Sequence, residues 1–376
     1  MKGRNRMKIA FDAYPIASKK LSGIGIHAEN IASRICRMAD CELLLYDFFK
    51  RHGSAAILES RIPGAPIREC NLMPYGAYVK IWDYIPLCYN SLFGSDADIY
   101  HFFNFLVPPK VKGKIVNTVH DLVFFTFPET VEKSNLRRMT ANIGRSCDMS
   151  DIIICVSENG KRELIDIMKV PEDKIRVVYN GVNHEKFNPS VPEYKNNSIP
   201  KDYILYIGTL EPRKNLVTLI KAYAGSNARK NGCALVIAGA KGWECDEIFR
   251  LANEYKTEVH FTGYVPNDQL PSLYKSARAF AFPSLYEGFG IPPLEAMACG
   301  TPVVTSCSSS LPEVVGDAAL TIENPLDSEA LAHSIDRIVF DSETAINCSE
   351  AGLVQSKKFT WDESAHRVMK IYKELS

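Results

Sequence analysis

SLYEGFGIPPLEAMACGTPVVT, residues Ser284 to Thr305, carries two carboxylates, Glu287 and Glu295, around a Gly288-Phe289-Gly290 turn and a double proline. It closes on Gly300-Thr301-Pro302 before an apolar run. Pro292 and Pro293 fit the first turn of a helix, where a missing amide hydrogen costs nothing, and Gly300 suits the left-handed residue just past its end. A helix starting near Pro292 puts Glu295 in its first turn and Glu287 on the loop beneath, so both carboxylates face the helix's positive end and a ring of free backbone amides. Such a nest suits a polar, partly anionic ligand. Taken singly, each glutamate has a plainer explanation: Glu-Gly is a common loop dipeptide, and an acid early in a helix is favourable dipole chemistry.

The same succession of loop, helix and apolar strand recurs along the chain. Strands are expected at 8–14, 41–48, 99–103, 114–119, 152–157 and 175–179, apolar as buried parallel strands are, with helices at 24–38, 131–147 and 159–168 between them. After a polar, proline-containing linker at 183–200, the alternation restarts with strands at 203–207, 234–238, 259–262, 279–282, 302–305 and 319–322. The fold class is therefore α/β, in two doubly wound halves. A length of 376 residues agrees, since domains run to roughly 100–200 residues.

Lys plus Arg and Asp plus Glu number 44 each, so no global field draws the chain to nucleic acid, and any anion site must be local. The eleven cysteines are dispersed without zinc spacing, which predicts free thiols in a reducing cytoplasm and no metal centre. The N-terminus is basic (Lys2, Arg4, Arg6, Lys8) but is followed by a short strand, not a signal-peptide core, and about 18 consecutive apolar residues occur nowhere.

Several positions point to chemistry. Gly23-Ile24-Gly25 lies at the first strand-to-helix turn, where glycines let backbone approach phosphate, although a plain tight turn also explains it. His120, in Val119-His120-Asp121-Leu122, sits at the carboxyl end of a strand, where open α/β sheets bind ligands. Arg213 and Lys214 follow Gly208 just before a helix, where two cations repel each other unless an anion is present. Tyr264 and Val265 follow another strand. The aromatic-rich run 75–105 is expected to form in part a loop-rich acceptor or membrane-facing surface, and Lys133, Arg137, Arg138 and Arg145 a cationic helix face able to meet an anionic leaflet. Asp96-Ala97-Asp98 is set aside as a metal-nucleotide motif because it precedes a buried strand.

Glu287, seven intervening residues and Glu295 resemble the paired-glutamate motif of retaining, nucleotide-sugar-dependent glycosyltransferases of family 4, and Arg213-Lys214 is similar to that family's phosphate-binding pair. The likeness extends from Gly23 to the terminal helix and is nearest in flavour to bacterial mannosyltransferases of O-antigen and surface polysaccharide synthesis. It implies the GT-B fold, two Rossmann-like domains facing across a cleft. Residues 1–182 form the acceptor side, 183–360 the donor side, and a closing helix at 361–376 crosses back. It further implies transfer of a hexose from a nucleoside diphosphate donor, GDP-mannose first and a UDP-hexose second, to a glycan or lipid-linked glycan, at most peripherally on the cytoplasmic membrane face.

By the same resemblance no cofactor or metal is needed. Arg213 and Lys214 stabilise the leaving diphosphate, helped by backbone at Gly23, Gly25, Gly208, Gly288, Phe289, Gly290 and Ile291. Glu287 holds donor-sugar hydroxyls, Glu295 the ribose, His120 orients the sugar, and backbone at Tyr264 and Val265 holds the base. The Leu311-to-Gly316 segment, similar to another family stretch, is expected to be structural. An inverting epimerase of the same fold and a non-catalytic nucleotide-sugar binder remain as alternatives. A dehydrogenase is disfavoured by the missing GxGxxG.

Overall fold

The computed structural model describes residues 6–48, 53–82, 84–85, 87–195, 199–254 and 258–376; Lys2 and Arg4 lie outside them. Among the described residues thirteen strands form two sheets. The first half contributes β1 (Met7–Asp12), β2 (Cys41–Phe48), β3 (Ile67–Cys70), β4 (Ile99–Phe102), β5 (Lys114–Val119), β6 (Ile152–Cys155) and β7 (Ile175–Val177). The second contributes β8 (Tyr203–Ile207), β9 (Ala234–Ala238), β10 (Val259–Gly263), β11 (Ala279–Phe282), β12 (Val303–Ser306) and β13 (Leu320–Ile322). The strand orders are β3-β2-β1-β4-β5-β6-β7 and β10-β9-β8-β11-β12-β13, all parallel. Each is a doubly wound Rossmann-like sheet whose order reverses once, beside β1 and β4 in one and beside β8 and β11 in the other.

Contacts divide the chain into two compact units. One comprises Met1–Leu122, Ser134–Asn180 and Trp361–Ser376, and the other Val123–Lys133 and Gly181–Thr360. In the first, the terminal helix Trp361–Leu375 packs on the helix Gly23–Ile35. Trp361 and Tyr372 are buried, and Ser364 donates to the Tyr179 carbonyl at 2.6 Å. Burying that amphipathic face takes apolar area from water, the main favourable term in holding the helix there.

The aromatic run differs from expectation. Tyr78, Trp82, Tyr89, Phe93, Tyr100, Phe102, Phe103 and Phe105 are all buried, many in one stacked and edge-on cluster with Tyr46 and Phe48. Two short helices, Tyr75–Ile81 and Tyr89–Phe93, occupy what reads in sequence as loop. The reason is size: large rings bury most apolar area per residue, so they fill the core while the prolines bend the chain around them. Among the described residues, Tyr84 and Ile85 are the large apolar groups of this stretch left exposed, with Leu72 exposed just before it. The two aspartates set aside above are structural, since Asp98 accepts from the Lys8 amide at 2.8 Å and Asp96 from Asn90 Nδ2 at 2.9 Å.

Candidate functional site

The carboxyl ends of β8 and β11 adjoin at the switch point of the second sheet, with Ile204 beside Ala279 and Leu205 beside Phe280. Past β8, Gly208 and Leu210 still pair with Ala238 and Ala240 on the neighbouring strand's exit, and a single 3₁₀ turn, Pro212–Lys214, follows. Asn215 ends that turn in the left-handed conformation (φ 58°), which asparagine tolerates, and its Nδ2 donates to the carbonyls of Pro283 and Pro325 at 3.0 and 2.6 Å. The Leu285 amide donates to the Arg213 carbonyl at 2.9 Å. The two loops are thus stitched together through main chain.

Across that seam the side chains form one buried ionic cluster. Lys214 Nζ is 2.6 Å from Glu287 Oε1, Arg213 donates to Glu287 Oε2 at 3.0 Å and to the Tyr286 carbonyl at 2.7 Å, and its other nitrogen reaches Glu211 Oε1 at 2.7 Å. Burial pushes the Glu287 carboxyl up, but Lys214 and Arg213 outweigh it and hold it down at about 2. The Lys214 ammonium lies 5.3 Å from the Phe282 ring, in cation–π range. Two cations therefore face two carboxylates, and the cluster is neutral as it stands. The anion that the Arg213-Lys214 pair calls for is supplied within the chain by Glu287 and Glu211. This corrects the expectation that Glu287 faces helix amides. Glu211 had no signal beyond its place two residues before Arg213.

The helix that follows spans Ile291–Ala298, with Gly290 at its N-cap. Gly290 has φ 119°, and an added Cβ there would lie 2.9 Å from Leu311 Cδ2, so only glycine fits. Glu295 is the fifth helical residue, one position further in than expected and just past the first turn, because the helix begins before the two prolines. The helix start keeps only part of the expected ring of free amides. Pro292 and Pro293 have no N–H, Leu294 donates to the Gly290 carbonyl, and the Glu287 amide donates to Ser309 Oγ. Among the described residues, the amides of Gly288, Gly290 and Ile291 form no hydrogen bond. Phe289 is buried, its ring 5.7 Å from that of Phe359.

Glu295 is half-buried and accepts from the Tyr274 hydroxyl at 3.1 Å. Burial raises its carboxyl to about 7, against partial relief from Lys186 and Tyr274. With the folded value above the unfolded one, the folded chain binds more protons between about 4.5 and about 7, and this group's contribution to stability falls as pH rises through that window. Measured by denaturant unfolding, the advantage of Glu295→Gln over wild type is expected to grow from pH 5 to pH 7.5. A difference independent of pH would show the carboxylate already ionised in the folded state.

Tyr264 and Val265 follow β10 at the same carboxyl edge of this sheet. They line a 480 Å³ cavity with His260, Thr262, Tyr194 and Gln269, the Tyr264 ring exposed and Val265 buried.

In the first unit, His120 follows β5, and its Nε2–H donates to the Phe103 carbonyl at 2.9 Å. Burial, then the neighbouring His27, lowers it to about 3, so it is a neutral imidazole with the Nδ1 lone pair as acceptor. The His27 ring stands edge-on, 5.0 Å away, and its Nδ1 bonds Asn180 at 2.6 Å. The two glycines of the first turn have different duties. A Cβ on Gly25 would lie 2.8 Å from the Pro15 carbonyl, so Gly25 serves close packing. Gly23, the first residue of its helix, has open space around the same position.

Both halves of the chain match known proteins. A family model described as "Glycosyltransferase Family 4" matches residues 21–186, and one described as "Glycosyl transferases group 1" matches residues 192–354. O-antigen chain mannosyltransferase B of Escherichia coli is 38% identical over 74% of each chain. The serotype-specific mannosyltransferase WbdA of Escherichia coli is 31% identical over 70% of this chain, which spans 34% of that relative. Among solved structures, sucrose-phosphate synthase from Thermosynechococcus elongatus superposes with a TM-score of 0.78 at 20% identity, over 98% of this chain and 99% of the other.

Proposed function

The chain belongs to the glycosyltransferases of family 4, and from that membership we propose that it is a retaining hexosyltransferase taking mannose from GDP-mannose to a growing, lipid-linked glycan in O-antigen or surface polysaccharide synthesis. The observation that carries the reading is the neutral cluster of Glu287, Glu211, Arg213 and Lys214 at the switch point. A structural ion pair this well buried is a poor source of stability, since desolvation offsets most of the attraction. A nucleoside diphosphate gives it a use. The diphosphate draws Arg213 and Lys214 onto its oxygens and releases the Glu287 carboxylate to accept from the hydroxyls of the transferred sugar.

As the glycosidic bond breaks, negative charge grows on the departing diphosphate. Preorganised cations, with the amides of Gly288, Gly290 and Ile291, then bind the transition state more strongly than the ground state. Arg213 and Lys214 supply the charge that a metal ion supplies in other transferases, and no further cofactor is invoked. Glu295 is assigned to the ribose, Tyr264 and Val265 to the base, the neutral His120 to a donor-sugar hydroxyl as acceptor, and Gly23 to the diphosphate. The relatives named mannosyltransferases support mannose.

Among the described residues no helix is long and apolar enough to cross a membrane. Arg138 and Arg145 of the helix Lys133–Met149 are half-buried, Arg145 over the Trp82 ring at 5.5 Å. The helix's exposed Lys133 and Arg137, with the exposed Leu72, Tyr84 and Ile85, support peripheral contact with an anionic leaflet, which failure to cosediment with anionic liposomes at low salt would refute. The test of the donor is calorimetric titration with GDP, UDP and ADP, followed by transfer from radiolabelled GDP-mannose and assignment of the product anomer. Tightest binding of GDP and an axial mannoside are expected. Preference for UDP overturns the donor, and an inverted product overturns the retaining mechanism.

A further inference from the structure

Three hydroxyls on the exit of β12 close on the main chain of the Glu287 loop, 22 residues earlier. Ser306 Oγ donates to the Ser284 carbonyl at 2.6 Å. Ser309 Oγ accepts from the Glu287 amide at 2.8 Å and donates back to the Glu287 carbonyl at 3.0 Å, so a single hydroxyl closes both polar groups of that residue's backbone. Ser310 Oγ, fully buried, lies 2.8 Å from the carbonyls of both Glu287 and Phe289.

Ser309 does this with φ 52°, in the left-handed region that costs a serine but not a glycine. Strain of that kind persists where the surroundings over-determine it, and it collects at functional sites. Glycine would relieve it, and the thing glycine lacks here is the hydroxyl on Glu287. The carboxylate of Glu287 is held from the front by Arg213 and Lys214, and its peptide from behind by the serines.

We propose that Ser309 and Ser310 are positioning residues for Glu287, fixing the backbone from which its carboxylate is aimed so that it stays aimed once a diphosphate has drawn the two cations away. This rests on the assignment of Glu287 to the donor sugar. A serine capping an ordinary loop would affect stability alone, whereas a positioning serine affects turnover independently of stability.

The test compares Ser309→Gly, Ser309→Ala and Ser309→Thr with wild type and Glu287→Gln, measuring kcat and donor KM with GDP-mannose, or with whichever of the GDP-, UDP- and ADP-sugars wild type turns over, together with the thermal midpoint. Glycine and alanine both remove the hydroxyl but only alanine keeps the strain. The glycine variant should melt above the alanine variant, while both lose kcat by a similar factor of about ten to a hundred, the range that small misplacements of reacting groups produce. Threonine keeps the hydroxyl and adds β-branching, so it should melt lowest and retain most of kcat. Ser310→Ala provides a second point with the Ser309 backbone untouched, and should also lower kcat.

A kcat that tracks the thermal midpoint across the series, or a glycine variant within twofold of wild type beside an impaired Glu287→Gln, overturns the positioning role alone. Normal turnover by Glu287→Gln, or no turnover of any donor by wild type, overturns the functional reading and this one with it.

Discussion

Glu287→Gln is expected to cut sugar transfer by well over about tenfold, a loss of more than ~1.4 kcal/mol of transition-state stabilisation, while a nucleoside diphosphate binds the variant more tightly than it binds wild type. The two effects have opposite signs because the carboxylate has two partners in turn. In the free chain it neutralises Lys214 at 2.6 Å and Arg213 at 3.0 Å, and so competes with any diphosphate for the same two cations. Removing its charge turns a neutral cluster into a cationic one, which favours the anion. During transfer the same carboxylate accepts from donor hydroxyls and faces the positive character that develops on the sugar ring, and glutamine cannot match that charge.

Alanine at this position is the harsher change. It takes the carboxylate from the buried Lys214 and from the half-buried Arg213, and breaking buried pairs in this way costs about 3–5 kcal/mol of stability. Calorimetric titration with GDP alongside initial transfer rates separates the two effects. Near-normal turnover, or weaker GDP binding by the glutamine variant, would contradict the assignment of Glu287.

Lys214→Ala should show the other pattern, with nucleotide affinity and turnover both reduced and turnover reduced more. Lys214 is buried, and Glu287 is the one hydrogen-bond partner its ammonium has among the described residues, so two of its three N–H groups remain for a ligand. A preorganised donor aimed at developing charge is worth about 10²–10³ in kcat where it has been removed elsewhere, and a similar loss is expected here. The stability cost should stay below that of orphaning a buried charge, since Glu287 keeps Arg213. Turnover within a few-fold of wild type in purified Lys214→Ala, with the fold intact by circular dichroism, would remove Lys214 from the site.

Much of the fold was legible because its signals are local. The strands Cys41–Phe48, Lys114–Val119, Tyr203–Ile207, Ala234–Ala238 and Ala279–Phe282 fall where apolar runs bounded by turn residues place them. β3 escaped because Ile-Arg-Glu-Cys is a four-residue edge strand with two charged residues, which is how edges are protected and also how they lose an apolar signature. The helices Tyr75–Ile81 and Tyr89–Phe93 escaped because prolines and aromatic density read as loop.

For the site, the spacing of Glu287 and Glu295 and the adjacency of Arg213 and Lys214 were visible, but their partners were not. Glu211, Ser309 and Ser310 carry no periodicity or motif of their own. Their importance lies in what they touch across the seam.

By itself, then, the sequence determined the alternation of strand and helix, the division into two α/β halves and the residue types gathered at strand exits. These follow from side-chain size, polarity and backbone preference acting over a few neighbours. Which charge meets which was decided by tertiary structure alone. Parallel order sets β8 beside β11 and so brings Lys214 onto Glu287 across 73 residues of chain. An ion pair depends on distance through space and on exclusion of water, and neither is a property of a residue's neighbours in sequence.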